Sequence, residues 1–209
     1  MLRVYYAHIG ALDYRSALSK LSADRIQRLE SIRAELNKKQ SAGVELLLNL
    51  AVRELRPETK PPLDIVRGEN GKPALRDGGL HFSLSHSGAW VLCAVSDGEL
   101  GADIQEQRPF DERLARRFFT SEELDYIHGS PDQDYAFSQI WALKESFSKA
   151  LGLGLRLPLR AFSLDFEKGP AVRGEAWHLR HCCVHGMHIA VCSAEGAEPE
   201  IFREIERLD

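Results

Sequence analysis

The sequence predicts an α+β fold, and three observations carry the prediction. From residue 34 to 55 apolar side chains recur at helical spacing, as Val44, Leu47, Leu48, Ala51, Val52 and Leu55, before Pro57 stops the run. The strand signals arrive as hairpins, with residues 81–85 and 89–96 joined by the tight turn His86-Ser87-Gly88. Helices followed by a small strand cluster occur twice, before and after about Gly101, although no residue-level repeat links the two stretches. Hairpins, rather than repeated strand–helix–strand units, argue for a mixed or antiparallel sheet.

Along the chain, residues 3–8 have the apolar and aromatic character of an opening strand. Asp13 and Ser22 are candidate helix N-caps, the second opening a charged, periodic stretch. Pro61-Pro62 and the run from Gly68 to Pro73 are turn-rich connectors. After the hairpin, a short strand over 100–104 leads into Arg108-Pro109, and helices are expected at 111–119, 121–127 and 133–151. Gly152 and Gly154 end the last of these. Strands are expected at 162–166, 175–180 and 187–193, the last after a turn at Gly186.

With 209 residues, 44% hydrophobic and 28% charged, the composition is that of a soluble globular protein with room for a substantial core. No stretch approaches the roughly 18 apolar residues of a spanning helix, and residues 1–12 lack the features of a signal peptide. A cytoplasmic protein without membrane attachment is expected. The net charge of −4 argues against a general nucleic-acid binder. Cys93, Cys182, Cys183 and Cys192 are too few and too clustered for a disulfide framework and read as reduced thiols.

Three places could carry chemistry. Asp103, in Gly101-Ala102-Asp103-Ile104-Gln105, ends an apolar strand where a carboxylate reaches a cleft edge, although capping the next turn would explain it equally. Trp141, Glu145 and Lys149 stand at i, i+4 and i+8 on one helix face. Glu145 and Lys149 could form a simple ion pair; against that, aromatic bulk surrounds them in a core-bound helix. If Asp103 and Glu145 converge, they begin a Mg²⁺ site that leaves positions for water and substrate phosphates. Ser85 and His86 lie at a glycine-containing turn suited to a phosphate, with Lys72 as a further cation.

In order along the chain, Gly71-Lys72-Pro73, Phe82-Ser83-Leu84-Ser85-His86-Ser87, Gly101-Ala102-Asp103-Ile104, Arg117-Phe118-Phe119, and the run from Trp141 to Lys149 followed by Gly152-Leu153-Gly154-Leu155 resemble the 4′-phosphopantetheinyl transferase superfamily. The resemblance is to its larger, Sfp-type (surfactin-synthetase-activating) branch. It implies two similar α/β halves related by pseudo-two-fold symmetry, divided here as 1–101 and 102–209, with coenzyme A bound between them. It further implies metal ligation by Asp103 and Glu145, with Glu145 as the base and Lys149 near the bridging phosphates. Lys72, Ser85 and His86 match coenzyme A phosphate contacts, and Arg25 and Arg28 are the candidates for the 3′-phosphate.

The reaction implied is attack by a serine of an acyl or peptidyl carrier protein on the β-phosphate of coenzyme A, with Mg²⁺ as cofactor and 3′,5′-ADP released. The enzyme is expected to be a monomer. Two departures stand out: Gln105 occupies a position where many members carry an acid, so a third metal ligand would be an amide oxygen. Residues 38–44 lack the arginine expected before the long helix. Arg113, Arg116 and Arg117 beside Phe118 and Phe119 offer a docking face for an acidic carrier, or else an ordinary solvated face paired to Glu112, Glu122 or Glu123. His178, His181, Cys182, Cys183, His185 and His188 resemble zinc ligands by type but not by spacing, and are read as structural. The rival readings are a non-catalytic protein that binds coenzyme A or a carrier, and a Mg²⁺-dependent phosphohydrolase with water as acceptor.

Overall fold

The computed structural model describes residues 1–208 apart from Glu69, Lys168, Ala197 and the side chain of Leu155. The chain divides into two compact units, Met1–Asp97 with Glu198–Asp209, and Gly98–Ala197. The expected division at 101/102 assigned the whole C-terminal stretch to the second half. Instead Ile201–Ile205 pairs in parallel with the opening strand, and backbone pairing returns the tail to the first unit.

In the first unit, β1 (Leu2–His8) is followed by a 3₁₀ turn over Tyr14–Lys20 capped by Asp13, and by α1 (Ala23–Ser31). The Ser22 hydroxyl caps α1 by accepting from the Arg25 N–H. The long helix α2 (Glu35–Leu55) comes next, then the short pair β2 (Ile65–Arg67) and β3 (Pro73–Leu75). These two strands flank the Gly68–Pro73 connector and were not expected from the sequence; at three residues each they are too short to show alternation. The hairpin β4 (His81–Ser87) and β5 (Trp90–Ser96) completes a sheet of order β11-β1-β5-β4, with β11 (Ile201–Ile205) its one parallel member. Leu47, Leu48, Ala51 and Val52 of α2 pack on Tyr5, Ala7, Val91, Cys93 and Val95 of the sheet. Each such buried aliphatic side chain contributes roughly 1.5–3 kcal/mol of transfer free energy.

The second unit runs through β6 (Leu100–Glu106), α3 (Glu112–Phe118), α4 (Ser121–Gly129) and α5 (Gln133–Ala150). Asp111 caps α3, a capping box of Thr120 and Glu123 opens α4, and Asp132 caps α5. Two-residue strands β7 (Leu164–Asp165) and β8 (Ala171–Val172) precede the hairpin β9 (His178–Val184) and β10 (Met187–Ser193). The expected strand over 162–166 shrinks to two residues, and the one over 175–180 begins at His178 and runs further. His185 and Gly186 both take positive φ, 53° and 72°, the backbone that a tight two-residue hairpin turn requires.

The sheet order is β6-β10-β9-β8-β7. Phe137, Ile140, Leu143 and Phe147 of α5 pack on Leu179, Ala190 and Cys192. The two units therefore share one connectivity: a strand, helices ending in a long one, then a hairpin whose second strand pairs with the first strand, as β1-β5-β4 and β6-β10-β9. Among the described residues no helix is long and apolar enough to cross a membrane.

Candidate active site

The second unit's polar site depends on how closely α5 can approach β6. A Cβ placed on Gly101 would stand 2.1 Å from the Ser146 carbonyl oxygen and 2.2 Å from the Ala150 nitrogen, so only glycine admits the helix. Alternation along β6 puts Asp103 and Gln105 on the same face as Gly101. Asp103 is 6% exposed, and its Oδ1 accepts a hydrogen bond from Lys149 Nζ at 2.6 Å. Glu145 lies one helical turn before Lys149. Burial, and then the negative charge of Asp103, push its carboxyl above the usual range, while Lys149 pulls the other way. Two carboxylates thus stand near one ammonium. Gln105 turns its amide NH₂ to the Glu106 carbonyl at 3.0 Å.

Such a donor set fits a hard divalent cation. Among the described residues no group of three or more His, Cys, Asp and Glu is placed to hold a metal. The protein would therefore supply two carboxylates, leaving most of an octahedral shell to water and phosphate oxygens, as Mg²⁺ prefers. The repulsion that raises the Glu145 carboxyl is what a cation would relieve.

Lys144, next to Glu145, has a different task. It is wholly buried, and its Nζ donates to both oxygens of Glu123, at 2.5 and 2.8 Å, and to the Phe162 carbonyl at 2.7 Å. Glu123 in turn accepts from the N–H groups of Leu164 and Thr120, both at 2.9 Å. This satisfied network ties the start of α4 and the chain after α5 to the helix that carries Glu145.

Trp141, one turn before Glu145, packs edge-on against Phe118 and at a tilt against Phe119, and the Arg108 guanidinium lies 4.7 Å over its ring. Arg108 carries no signal in the sequence beyond its place before Pro109. Of the arginines expected at a docking face, Arg116 pairs with Glu112 and Arg117 lies over Phe118. The histidines of the hairpin form a chain: Gln139 Nε2 lies 3.3 Å from His181 Nδ1, and His181 Nε2 lies 3.0 Å from His188 Nδ1. His188 Nε2 then reaches Gln107 Oε1 at 3.4 Å.

In the first unit, Arg25, Arg28, Ser85 and His86 line one pocket of about 210 Å³, together with Ser22, Asp24, Glu45 and Arg67. Lys72 is not among its lining residues, although the adjoining Pro73 is. Arg25 is committed within the protein, donating from Nε to Glu45 at 2.8 Å and from Nη1 to Ser41 at 3.2 Å. Arg67 is a pocket residue with no signal in the sequence; it stands just before the run from Gly68 to Pro73 that reads as a connector.

The profile of the 4′-phosphopantetheinyl transferase superfamily matches residues 99–192, the stretch that holds Asp103, Gln105, Glu145 and Lys149. The chain is 34% identical over 177 residues to the 4′-phosphopantetheinyl transferase ffp of Bacillus subtilis, covering 78% of this chain and 79% of the relative. With the 4′-phosphopantetheinyl transferase psf-1 of Bacillus pumilus it shares 28% identity over 216 residues, 95% of this chain and 93% of the relative. The crystal structure of holo-[acyl-carrier-protein] synthase from Neisseria meningitidis superposes with a TM-score of 0.41 at 21% identity, over 46% of this chain and 97% of the other. The chain belongs to the 4′-phosphopantetheinyl transferase superfamily, in its Sfp-type branch.

Proposed function

We infer that the chain transfers the 4′-phosphopantetheine arm of coenzyme A to a serine of an acyl or peptidyl carrier protein, with Asp103, Glu145 and Lys149 as the reacting centre. The observation that carries the residue assignment is the Lys149–Asp103 ion pair beside a Glu145 carboxyl raised by burial and by Asp103. Family membership supports the reaction itself.

A bond forms between the serine oxygen and the β-phosphorus, and the bond to the bridging oxygen breaks. The electron pair leaves with 3′,5′-ADP, and the serine proton goes to a base. Glu145 is the proposed base for that proton. Lys149 is partly exposed while the Asp103 carboxylate that holds its Nζ is buried, so the ammonium can lean toward the phosphate that becomes the leaving group. Asp103 keeps that ammonium in position. Asp103 and Glu145, with the Gln105 amide oxygen as a further donor, would hold Mg²⁺, which when bound neutralises charge on the pyrophosphate.

In the first unit, Arg25, Arg28, Ser85 and His86 are proposed to receive coenzyme A phosphate groups, with Lys72 beside them. Arg113, Arg116 and Arg117 are the proposed contacts to the acidic carrier. A monomer working in the cytoplasm is part of the same proposal.

The test is the intact mass of an apo carrier protein incubated with the enzyme, coenzyme A and Mg²⁺. A gain of one phosphopantetheine group that EDTA prevents is expected, and Asp103→Ala should abolish it while the far-UV circular dichroism is retained. Release of nucleotide from coenzyme A without modified carrier would instead make water the acceptor.

A further inference from the structure

A second cavity of the first unit, about 360 Å³ in volume, lies between the C-terminal half of α2, the end of the 3₁₀ turn and the residues after β11. It shares no lining residue with the pocket of Arg25, Ser85 and His86. Its size is within the range of roughly 300–1,000 Å³ usual for small-molecule sites. Leu46, Leu50 and Leu208, with Pro57 and Pro61, give it apolar walls, and Lys20, Arg53 and Arg207 give it three cations.

Asn49 sets this cavity apart from a chance hollow in the surface. It is 4% exposed in the interior of α2, where an asparagine has no advantage of helix propensity. Its Nδ2 donates to the Lys20 carbonyl at 2.8 Å. That partner can only accept, so the NH₂ must face it and the orientation of the carboxamide is settled. The other end, Oδ1, is buried and has no hydrogen-bond partner among the described residues. An enclosed acceptor without a donor destabilises a folded chain, and the cavity that Asn49 lines is where a donor can enter.

The charges around the cavity leave room for an anion. Glu54, the one carboxylate among the lining residues, accepts from the Tyr5 hydroxyl at 2.9 Å and pairs with Arg203, so its charge is already met from outside. Lys20 and Arg53 are exposed and form no ion pair among the described residues.

We propose that this cavity binds an amphipathic carboxylic acid of the N-acylamino-acid kind. Its apolar chain lies among the leucines and prolines, its carboxylate faces Lys20 and Arg53, and the N–H beside that carboxylate donates to Asn49 Oδ1. The site is separate from the transferase centre and does not depend on the transferase reading. Selectivity follows from the two polar contacts. An analogue without the N–H leaves Oδ1 buried and unpaired, so it is rejected strongly. An analogue without the charge loses an attraction at a mouth open to water, a smaller effect that salt weakens.

Isothermal titration of the full chain compares N-octanoylglycine with two matched analogues. In O-octanoylglycolic acid an ester oxygen replaces the N–H, and in N-octanoylglycinamide the carboxylate is gone. N-Octanoylglycine is expected to bind roughly tenfold or more tighter than the ester. It should also bind tighter than the glycinamide, by a margin that shrinks as salt is raised. Arg53→Ala should weaken binding of the acid roughly threefold or more and leave the glycinamide nearly unaffected. Asn49→Leu should bind acid and ester equally; thermal melts check its folding, and Arg53→Ala, at an exposed position, decides the matter if it does not fold. Saturating coenzyme A should leave the affinity for the acid unchanged. Equal binding of acid and ester by wild type, no binding of millimolar acid, or an Arg53→Ala variant that binds the acid as wild type does would overturn the proposal. Mutual exclusion with coenzyme A would overturn it too, by placing the acid in the substrate's own site.

Discussion

Gly101 and Ser146 touch so closely that a single methyl group on the glycine would fall 2.1 Å from the serine carbonyl oxygen. The contact is between backbones, so no side chain can swing aside to relieve it. Gly101→Ala must push α5 away from β6 and carry Glu145 and Lys149 away from Asp103. A loss of about 3 kcal/mol is expected, the upper end of overpacking costs, together with at least a tenfold fall in transfer rate. Urea denaturation and carrier modification measure the two; unchanged values of both would mean the close approach has no consequence.

The Lys144–Glu123 pair predicts an asymmetry between single and double substitutions. Lys144→Met leaves Glu123 buried with, among the described residues, the Leu164 and Thr120 N–H groups as its donors, and about 3–5 kcal/mol of stability should go. Adding Glu123→Gln removes the stranded charge, and the double variant should recover a good part of that loss. A double variant no more stable than Lys144→Met would contradict an electrostatic origin of the effect.

The histidine chain predicts a pH dependence. Burial pushes both His181 and His188 down to about 4; each ring also feels its neighbours, His181 the His188 ring and His188 the carboxylate of Asp132. Tyr135 packs edge-on against both, and Cys183 faces His188 across the hairpin. In the unfolded chain these rings take up a proton near 6.5. Their contribution to stability is complete above that value and is lost as pH falls from about 6.5 to about 4, because the unfolded state binds the protons first. The urea midpoint should fall between pH 7 and pH 5, and His181→Gln with His188→Asn should flatten that fall. A wild-type midpoint independent of pH over this range would contradict it.

Long-range pairing divides what the sequence reveals from what it conceals. The period of α2 and α5, the caps at Asp13 and Ser22, and the hairpin around His86-Ser87-Gly88 are local signals, and the corresponding elements appear in the structure. β11 has no such signal, since its strand character comes from β1, about 200 residues earlier in the chain. Likewise β2 and β3 exist as a pair, each too short to show alternation alone. At the site, the i, i+4, i+8 spacing placed Glu145 and Lys149 on one face of α5, and Asp103 was recognisable by its motif. What stayed hidden was how deeply each charge is enclosed: Lys144 reads like Lys149 in sequence, and only burial separates the wholly enclosed ammonium from the partly exposed one. Arg25 and Arg67 differ in the same way.

Glu145 supplies the prediction that links stability to the metal. Its carboxyl is raised by burial first and by Asp103 second. The unfolded chain gives up this proton near the usual glutamate value, whereas the folded chain holds it to higher pH. Between the two values the folded state carries the extra proton, so stability falls as pH rises through that window and the deficit persists at neutral pH. Glu145→Gln removes the deficit. In the absence of divalent cation its melting temperature at pH 7 should exceed that of wild type by a few degrees, and the advantage should vanish near pH 4, where the wild-type carboxyl is protonated in both states. Mg²⁺ should raise the melting temperature of wild type, because a ligand that binds only the folded state stabilises it, and should do little for the variant. Differential scanning calorimetry with and without Mg²⁺ reads all three. A variant less stable than metal-free wild type at pH 7 would mean that Glu145 is held by an attraction rather than strained by Asp103, and the carboxylate pair would lose its claim to a cation.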